Sequence, residues 1–236
     1  MRPGLSISIL NLCAAIVCVE SLLIGHGSYH ENVTLLEDQI KADPLNAGLH
    51  FELACAHQEH GEWKAALIEC ERVRRLAADG FDTDFVGGKA LASGGHFEAA
   101  KGLLDSFLEK QPHHAAARVE RGRVLMKLQK PAEAEKDFEA ALSLEKQAPA
   151  DWWLEAAQAG TAVDVLRRAL SRIGDDPQLL NASLEAELKA GNTVEALQRV
   201  EALQKIAPRR EPWMARRAEL LQAAGRHEEA RNAWMA

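Results

Sequence analysis

Few residues in this chain have the types and spacing that chemistry needs. His57 and His60 enclose Gln58 and Glu59. Two imidazoles on one helix can hold a metal, but the His-Glu-x-x-His order that adds a general base is absent. His113 and His114 follow Pro112, with no carboxylate or cysteine partner evident. Asp79-Gly-Phe-Asp-Thr-Asp84 resembles the start of a calcium loop yet lacks its distal Glu. Turn formation and helix N-capping account for it better. Of four cysteines, Cys13 and Cys18 lie in an apolar N-terminal run, and Cys55 and Cys70 lie further on without a Cys-x-x-Cys pair. The last two read first as helix-packing residues and second as a disulfide. No glycine-rich phosphate loop, nucleophile elbow or dinucleotide fingerprint occurs. The expectation is no catalytic residue, no metal and no cofactor: the chain is not an enzyme. Asn32-Val-Thr34 and Asn181-Ala-Ser183 match the glycosylation acceptor, which matters only in a eukaryotic secretory route.

The elements that must position any working residue are helices. Ala and Leu dominate a hydrophobic fraction of 47 %, while aromatics are only 5 %. With Glu, Lys, Arg and Gln these are strong helix formers. Past residue 30 no stretch alternates as a strand requires, so the predicted class is all-α. The formal charge of −7 argues against a nucleic-acid partner, which selects a basic face. That charge is uneven. Residues 28–100 carry 13 acidic and 6 basic side chains, whereas residues 205–236 carry 4 and 7. Solvated helix faces are the first reading of this asymmetry; an acidic and a basic end that orient a partner or stack head to tail are the second.

Residues 1–27 read as a targeting segment. Arg2 precedes a run from Leu5 to Val19, Glu20 interrupts it, and Ser21–Gly25 resumes it. This is the pattern of a secretory signal. The whole run, residues 5–24, is also about long enough to span a bilayer. A cleaved signal and an uncleaved anchor both stay open. Either exports the remaining chain, in a bacterium to the periplasm or to the outer side of the inner membrane.

Self-similarity organises the rest. Gly-Glu-Trp-Lys-Ala-Ala at 61–66 returns as Gly-His-Phe-Glu-Ala-Ala at 95–100, and in looser form at 129, 160, 191 and 225. The spacings are 34, 34, 31, 31 and 34 residues. A 34-residue period is that of a helix–turn–helix repeat. Small residues recur as Ala54, Gly88, Gly122 and Ala218. Ala66, Ala100, Ala134, Ala196 and Ala230 recur at a second position, where Val165 departs. Cys70, Leu104, Phe138, Val200 and Trp234 follow one helical turn later. Pro44, Pro112, Pro177 and Pro208 punctuate the units, because proline stops a helix before it.

These residues resemble the tetratricopeptide repeat family. The resemblance covers roughly residues 31–236 and implies a right-handed α-α superhelix of about six helix-turn-helix units. They fall at 47–80, 81–114, 115–148, 149–176, 177–210 and 211–236, after a half-repeat helix at 31–43. The fourth has a shortened first helix with Trp152-Trp153 crowded near its start. The last stops without a polar capping helix, which solenoids usually carry.

The resemblance also implies a function: a protein-interaction scaffold whose first helices (A) line a concave face while the second helices (B) lie behind. It puts Phe51, Phe85 and Val119 in an apolar row, with Lys89, Arg123, Lys127 and Lys189 beside it, and Asn181 on the same face. Such a groove grips a partner segment and steers its acidic groups. Ordinary packing of Phe51 and Phe85 between helices stays open. The family's large core position at His57 weakens a metal reading there. Trp213, Met214 and Trp234 form a second candidate surface, for a protein partner or for a homo-oligomer stacked through the C-terminal end.

Overall fold

Helix-forming composition with punctual turns gives helices and nothing else. The computed structural model describes residues 28–76 and 80–235, and among these there are thirteen α-helices and no strand. They are α1 (Ser28–Ala42), α2 (Ala47–Glu59), α3 (Trp63–Arg75), α4 (Thr83–Ser93), α5 (Phe97–Lys110), α6 (Ala115–Lys127) and α7 (Pro131–Leu144). Then follow α8 (Ala150–Ala159), α9 (Ala162–Ile173), α10 (Pro177–Lys189), α11 (Thr193–Ile206), α12 (Glu211–Ala223) and α13 (His227–Met235). From α2 onward, even-numbered helices are A helices and odd-numbered ones B helices. The targeting segment predicted at residues 1–27 lies outside the described residues. Among the described residues no helix is long and apolar enough to cross a membrane.

Local chemistry sets the helix ends. Asn46 Oδ1 accepts from the backbone N–H groups of Gly48 and Leu49, and Asp176 Oδ1 from those of Gln178 and Leu179. His114 uses its ring nitrogen for the same task, accepting from Ala117 N–H at 3.0 Å. Each cap satisfies donors that a first helical turn leaves open. The predicted 34-residue glycine is the turn from A to B. Gly61, Gly95, Gly191 and Gly225 have φ between +75° and +84°. The next N–H in each case bonds back five residues, as from Glu62 to His57 O at 2.8 Å and from Arg226 to Leu221 O at 2.9 Å. This left-handed helix end costs glycine least. Gln129 occupies the same place in the third copy, at φ 59°.

Two compact units divide the chain, the first ending at His96 and the second beginning at Phe97. In the first unit, α1 packs on α2, α2 on α3, α3 on α4, and the A helices α2 and α4 touch. Its buried apolar residues include Leu36, Leu53, Ala66, Val73 and Ala90, together with a cluster of Ala54, Cys70 and Val86 against which Phe51 and Cys55 pack. Gly94 passes so close to the Trp63 ring that a Cβ there would lie 2.7 Å from it.

In the second unit, successive helices from α5 to α13 pack pairwise, and the A helices α6, α8 and α10 also touch in turn. The B helices α7 and α9 are bridged by long side chains: Arg168 pairs with Glu139, and Arg172 donates to Leu142 O at 3.3 Å. Closer approach on the A side makes the A layer the inner one of this unit. One apolar cluster gathers Val119, Phe138, Trp153, Leu166 and Leu179, and another joins α10 to α13 through Leu180, Val200, Leu203 and Leu221.

The repeat positions behave as the periodicity implies. Ala54, Ala66, Ala100, Ala134, Ala196 and Ala218 have no exposed surface, and Val165 keeps 3 %. Gly122 lets Phe138 approach: a Cβ on it would meet the ring at 2.9 Å. Helix α8 has 10 residues where α6, α10 and α12 have 13, and only Trp153 of the tryptophan pair enters the core. Trp234 departs from its fellows at that position. It is 55 % exposed, whereas Cys70, Leu104, Phe138 and Val200 are at most 1 % exposed.

Candidate partner-binding faces

Surfaces for a partner must come from A-helix residues that the core leaves uncovered. The sequence-predicted set falls in two parts, Phe51, Phe85 and Lys89 in the first unit and Val119, Arg123, Lys127 and Asn181 in the second.

In the first unit Phe51 and Phe85 are half-buried. Phe51 tilts against Phe81 at 5.1 Å, and Lys89 Nζ lies 5.6 Å from the centre of the Phe85 ring. A cation at that distance is attracted by the ring face. Packing and partial exposure therefore coexist at both phenylalanines.

In the second unit the expectation needs two corrections. Val119 is 1 % exposed and belongs to the apolar cluster around Phe138 and Trp153, so it offers no anchor to a partner. Arg123 is not an open cation. Its Nε donates to Glu155 at 2.8 Å and its Nη1 to Glu120 at 2.6 Å, while Nη2 lies 3.6 Å from Asp151. Burial disfavours its charge, but Glu155 and Glu120 outweigh that and hold the guanidinium more firmly protonated than usual. Three carboxylates around one guanidinium make the α6–α8 surface acidic, with Lys127 exposed at its edge. Asn181 is exposed on α10 and donates to Pro177 O at 2.8 Å.

At the other candidate surface, Trp213 is half-buried against the α10–α13 core and Met214 is half-buried. Only Trp234 of the three is largely exposed, beside Met235 at 68 %.

The histidine pair serves packing. Tyr29 of α1 stacks on His60 at 3.7 Å between ring centres, and its hydroxyl lies 3.0 Å from His57 Nδ1. Among the described residues no group of three or more His, Cys, Asp or Glu is placed to hold a metal. Cys55 and Cys70 both remain thiols, and burial pushes that of Cys70 up to about 11.

Buried charge was missed by the sequence reading. His50 Nδ1 meets Glu69 Oε2 at 2.7 Å, and Arg72 caps the other oxygen at 2.6 Å. Asp137, 3 % exposed, takes two bonds from Arg121 at 2.7 Å each, and Arg121 reaches on to Asp105 at 2.8 Å. Glu187, fully buried, accepts from Arg167 and from Asn192. Among the described residues no buried side-chain polar atom lacks a partner, as the cost of burying charge demands. The only sequence signal was a carboxylate at a helical position whose neighbours are apolar.

A sequence model of the tetratricopeptide repeat matches residues 85–151 and, in overlapping register, 119–162. No curated protein sequence matches the chain. Solved structures do. A tetratricopeptide repeat protein from Parabacteroides merdae ATCC 43184 is 18 % identical, with 89 % of this chain and 85 % of that one covered and a TM-score of 0.59. PilF of Pseudomonas aeruginosa is 20 % identical over 82 % of this chain and 90 % of that one, at 0.60. YrrB, a repeat protein of this kind with an unusual peptide-binding site, is 14 % identical over 76 % and 95 %, at 0.59. Identities this low speak to the fold alone. The tetratricopeptide repeat model thus matches residues 85–162, and the described helices before and after them continue the helix-pair fold that these solved structures share.

Proposed function

We propose that the chain is a non-enzymatic interaction scaffold, exported or membrane-anchored by its N-terminal segment, which holds a protein segment along its A-helix faces. The fold supports a protein or peptide partner. The observation that carries the surface assignment is the contact of α6, α8 and α10, which leaves a continuous inner layer with Lys127, Asp151 and Asn181 exposed on it. Because Arg123 is already neutralised, the partner carries mixed or basic groups over α6–α8 rather than the acidic groups first expected. A peptide-binding site on the structurally similar YrrB agrees with this use of the fold.

A photo-crosslinking residue placed at Lys127 of the full chain tests the surface, with Lys136 on the B helix α7 as control. Both positions are exposed. One protein captured in native extract from position 127 and not from 136 supports the reading. Capture from 136 alone, or equally from both, rejects it. For export, the support is the charged start and apolar run of residues 1–25. Fractionation of cells making the full chain checks it, and recovery wholly from the cytoplasm rejects it.

A second reading, self-assembly through the C-terminal end, draws on the exposure of Trp234 and Met235. Concentration-dependent association abolished by Trp234→Glu would favour it.

A further inference from the structure

The chain is acidic, and most of its arginines are matched to a carboxylate of its own. Arg72, Arg74, Arg118, Arg121, Arg167 and Arg168 all have such partners. One place gathers cations that lack such partners. A cleft of about 380 Å³ opens beside α11 and α12, lined by Glu201, Gln204, Lys205, Arg210 and Arg217. Arg217 Nε donates to Glu201 at 3.1 Å. Among the described residues Lys205 and Arg210 form no ion pair, nor does Arg209 beside them, and all three are exposed. Nearby, Arg226 and Glu229 pair at 2.6 Å and cancel one another.

Glu201 is the one carboxylate among the lining residues, and like charges that outnumber their counter-charges repel one another and lower stability. Here Pro208 in the short connection and Pro212 in the first turn of α12 bracket Arg210 at the cleft. The arrangement suits an anion from outside. Its volume lies at the low end of the range of ligand pockets, about 300–1,000 Å³, and it is open to solvent. That is more room than one carboxylate needs, and enough for two on a stretch of backbone. Glu201 shows which oxyanion the cleft accepts: a carboxylate already lies against Arg217.

We infer that this cleft is a second binding site, which takes an acidic peptide segment bearing at least two carboxylates on Lys205, Arg210 and the free edge of Arg217. It is separate from the A-helix faces, and its success or failure is read independently of theirs.

Fluorescence anisotropy of the full chain with a fluorescein-labelled peptide of alternating Glu and Gly tests this, with the Gln-for-Glu peptide as control. The expected result is saturable binding of the Glu peptide only, weakening steeply from ~20 to ~500 mM salt as screening shortens. Lys205→Gln/Arg210→Gln should weaken it at least tenfold with an unchanged circular dichroism melt, since both side chains are exposed. Glu201→Gln should tighten it, and Lys89→Glu should leave it unaltered. Equal binding of the Gln peptide, no effect of the double variant, or no binding by the wild type each overturns the proposal. Displacement of the peptide by millimolar inorganic phosphate would reassign the cleft to phosphate and overturns it equally.

Discussion

Gln129 is the residue at which the repeat departs most from its own rule. Four units place glycine in the left-handed turn between A and B helices, and the third places Gln at φ 59°. A side chain in that region costs about 1–2 kcal/mol. Glycine removes the cost but loosens the unfolded chain by about 0.4–1 kcal/mol. The first effect is the larger, so Gln129→Gly should stabilise the protein by roughly 0.5–1 kcal/mol. An unmoved or lowered denaturation midpoint would contradict this. Gly122 makes the opposite case. Alanine there improves helix propensity by up to about 1 kcal/mol, yet its Cβ would meet the Phe138 ring at 2.9 Å. Overpacking of a buried ring costs about 1–3 kcal/mol, so Gly122→Ala destabilises. Combination with Phe138→Leu, which vacates the contact, should cost less than the sum of the two single changes; strict additivity would show that they do not touch. Both positions were legible in advance, since a 34-residue period marks the turn and the small crossing residue directly. The partners of Arg123 were not. Asp151 and Glu155 are 28 and 32 residues away, in the unit whose first helix is shortened, and a shortened unit shifts the register by which A-helix neighbours are read.

Between elements, ion pairs do what small apolar residues do at the crossings. Arg121 of α6 joins Asp105 of α5 to Asp137 of α7, so three consecutive helices share one guanidinium. Removing one member of a buried pair costs about 3–5 kcal/mol. Arg121→Met should fall at the low end, because Arg118 remains 3.3 Å from Asp137. Restoring the loss with Asp137→Leu in the same chain would separate a stranded carboxylate from lost packing. The network also sets an acid limit. Burial pushes the Asp105 carboxyl up, but hydrogen bonds from Lys101 and Arg121 outweigh that and hold it below its ordinary value. A carboxyl depressed in the folded state adds stability that is present above its unfolded pKa, about 3.9, and is lost as pH falls through the folded value. Asp105→Asn should therefore narrow the stability difference between pH 7 and pH 3, read from urea midpoints at the two values. A difference as wide as in the wild type would mean that other carboxylates govern acid unfolding. None of this pairing was foreseen, because sequence periodicity reports which face is buried and not which charges are carried in with it.

For the molecule as a whole, stability in a repeat protein is close to a sum over units and the interfaces joining them. The two units differ in what they bury. The first buries Leu36, Leu53, Val73 and Val86 with smaller residues such as Ala54 and Cys70, and supports them with the polar set of His50, Glu69 and Arg72. The second buries Phe138, Trp153, Leu166 and Leu179 in one cluster and joins α10 to α13 through another. At about 25 cal/mol per Å² of apolar surface removed from water, large side chains decide such a comparison. Amide hydrogen exchange should therefore be graded along the chain, slowest in α7 and α9 around Trp153 and faster in α2 to α4. The gradient follows from local opening rather than from global unfolding, so it should persist under conditions where the whole protein stays folded. Trp153→Ala should speed exchange in α7 to α10 far more than in α2 to α4. Equal protection from α2 to α13, or an equal response of both units to that substitution, would mean that the chain opens as a single cooperative body and that its interfaces, rather than its unit cores, set its stability.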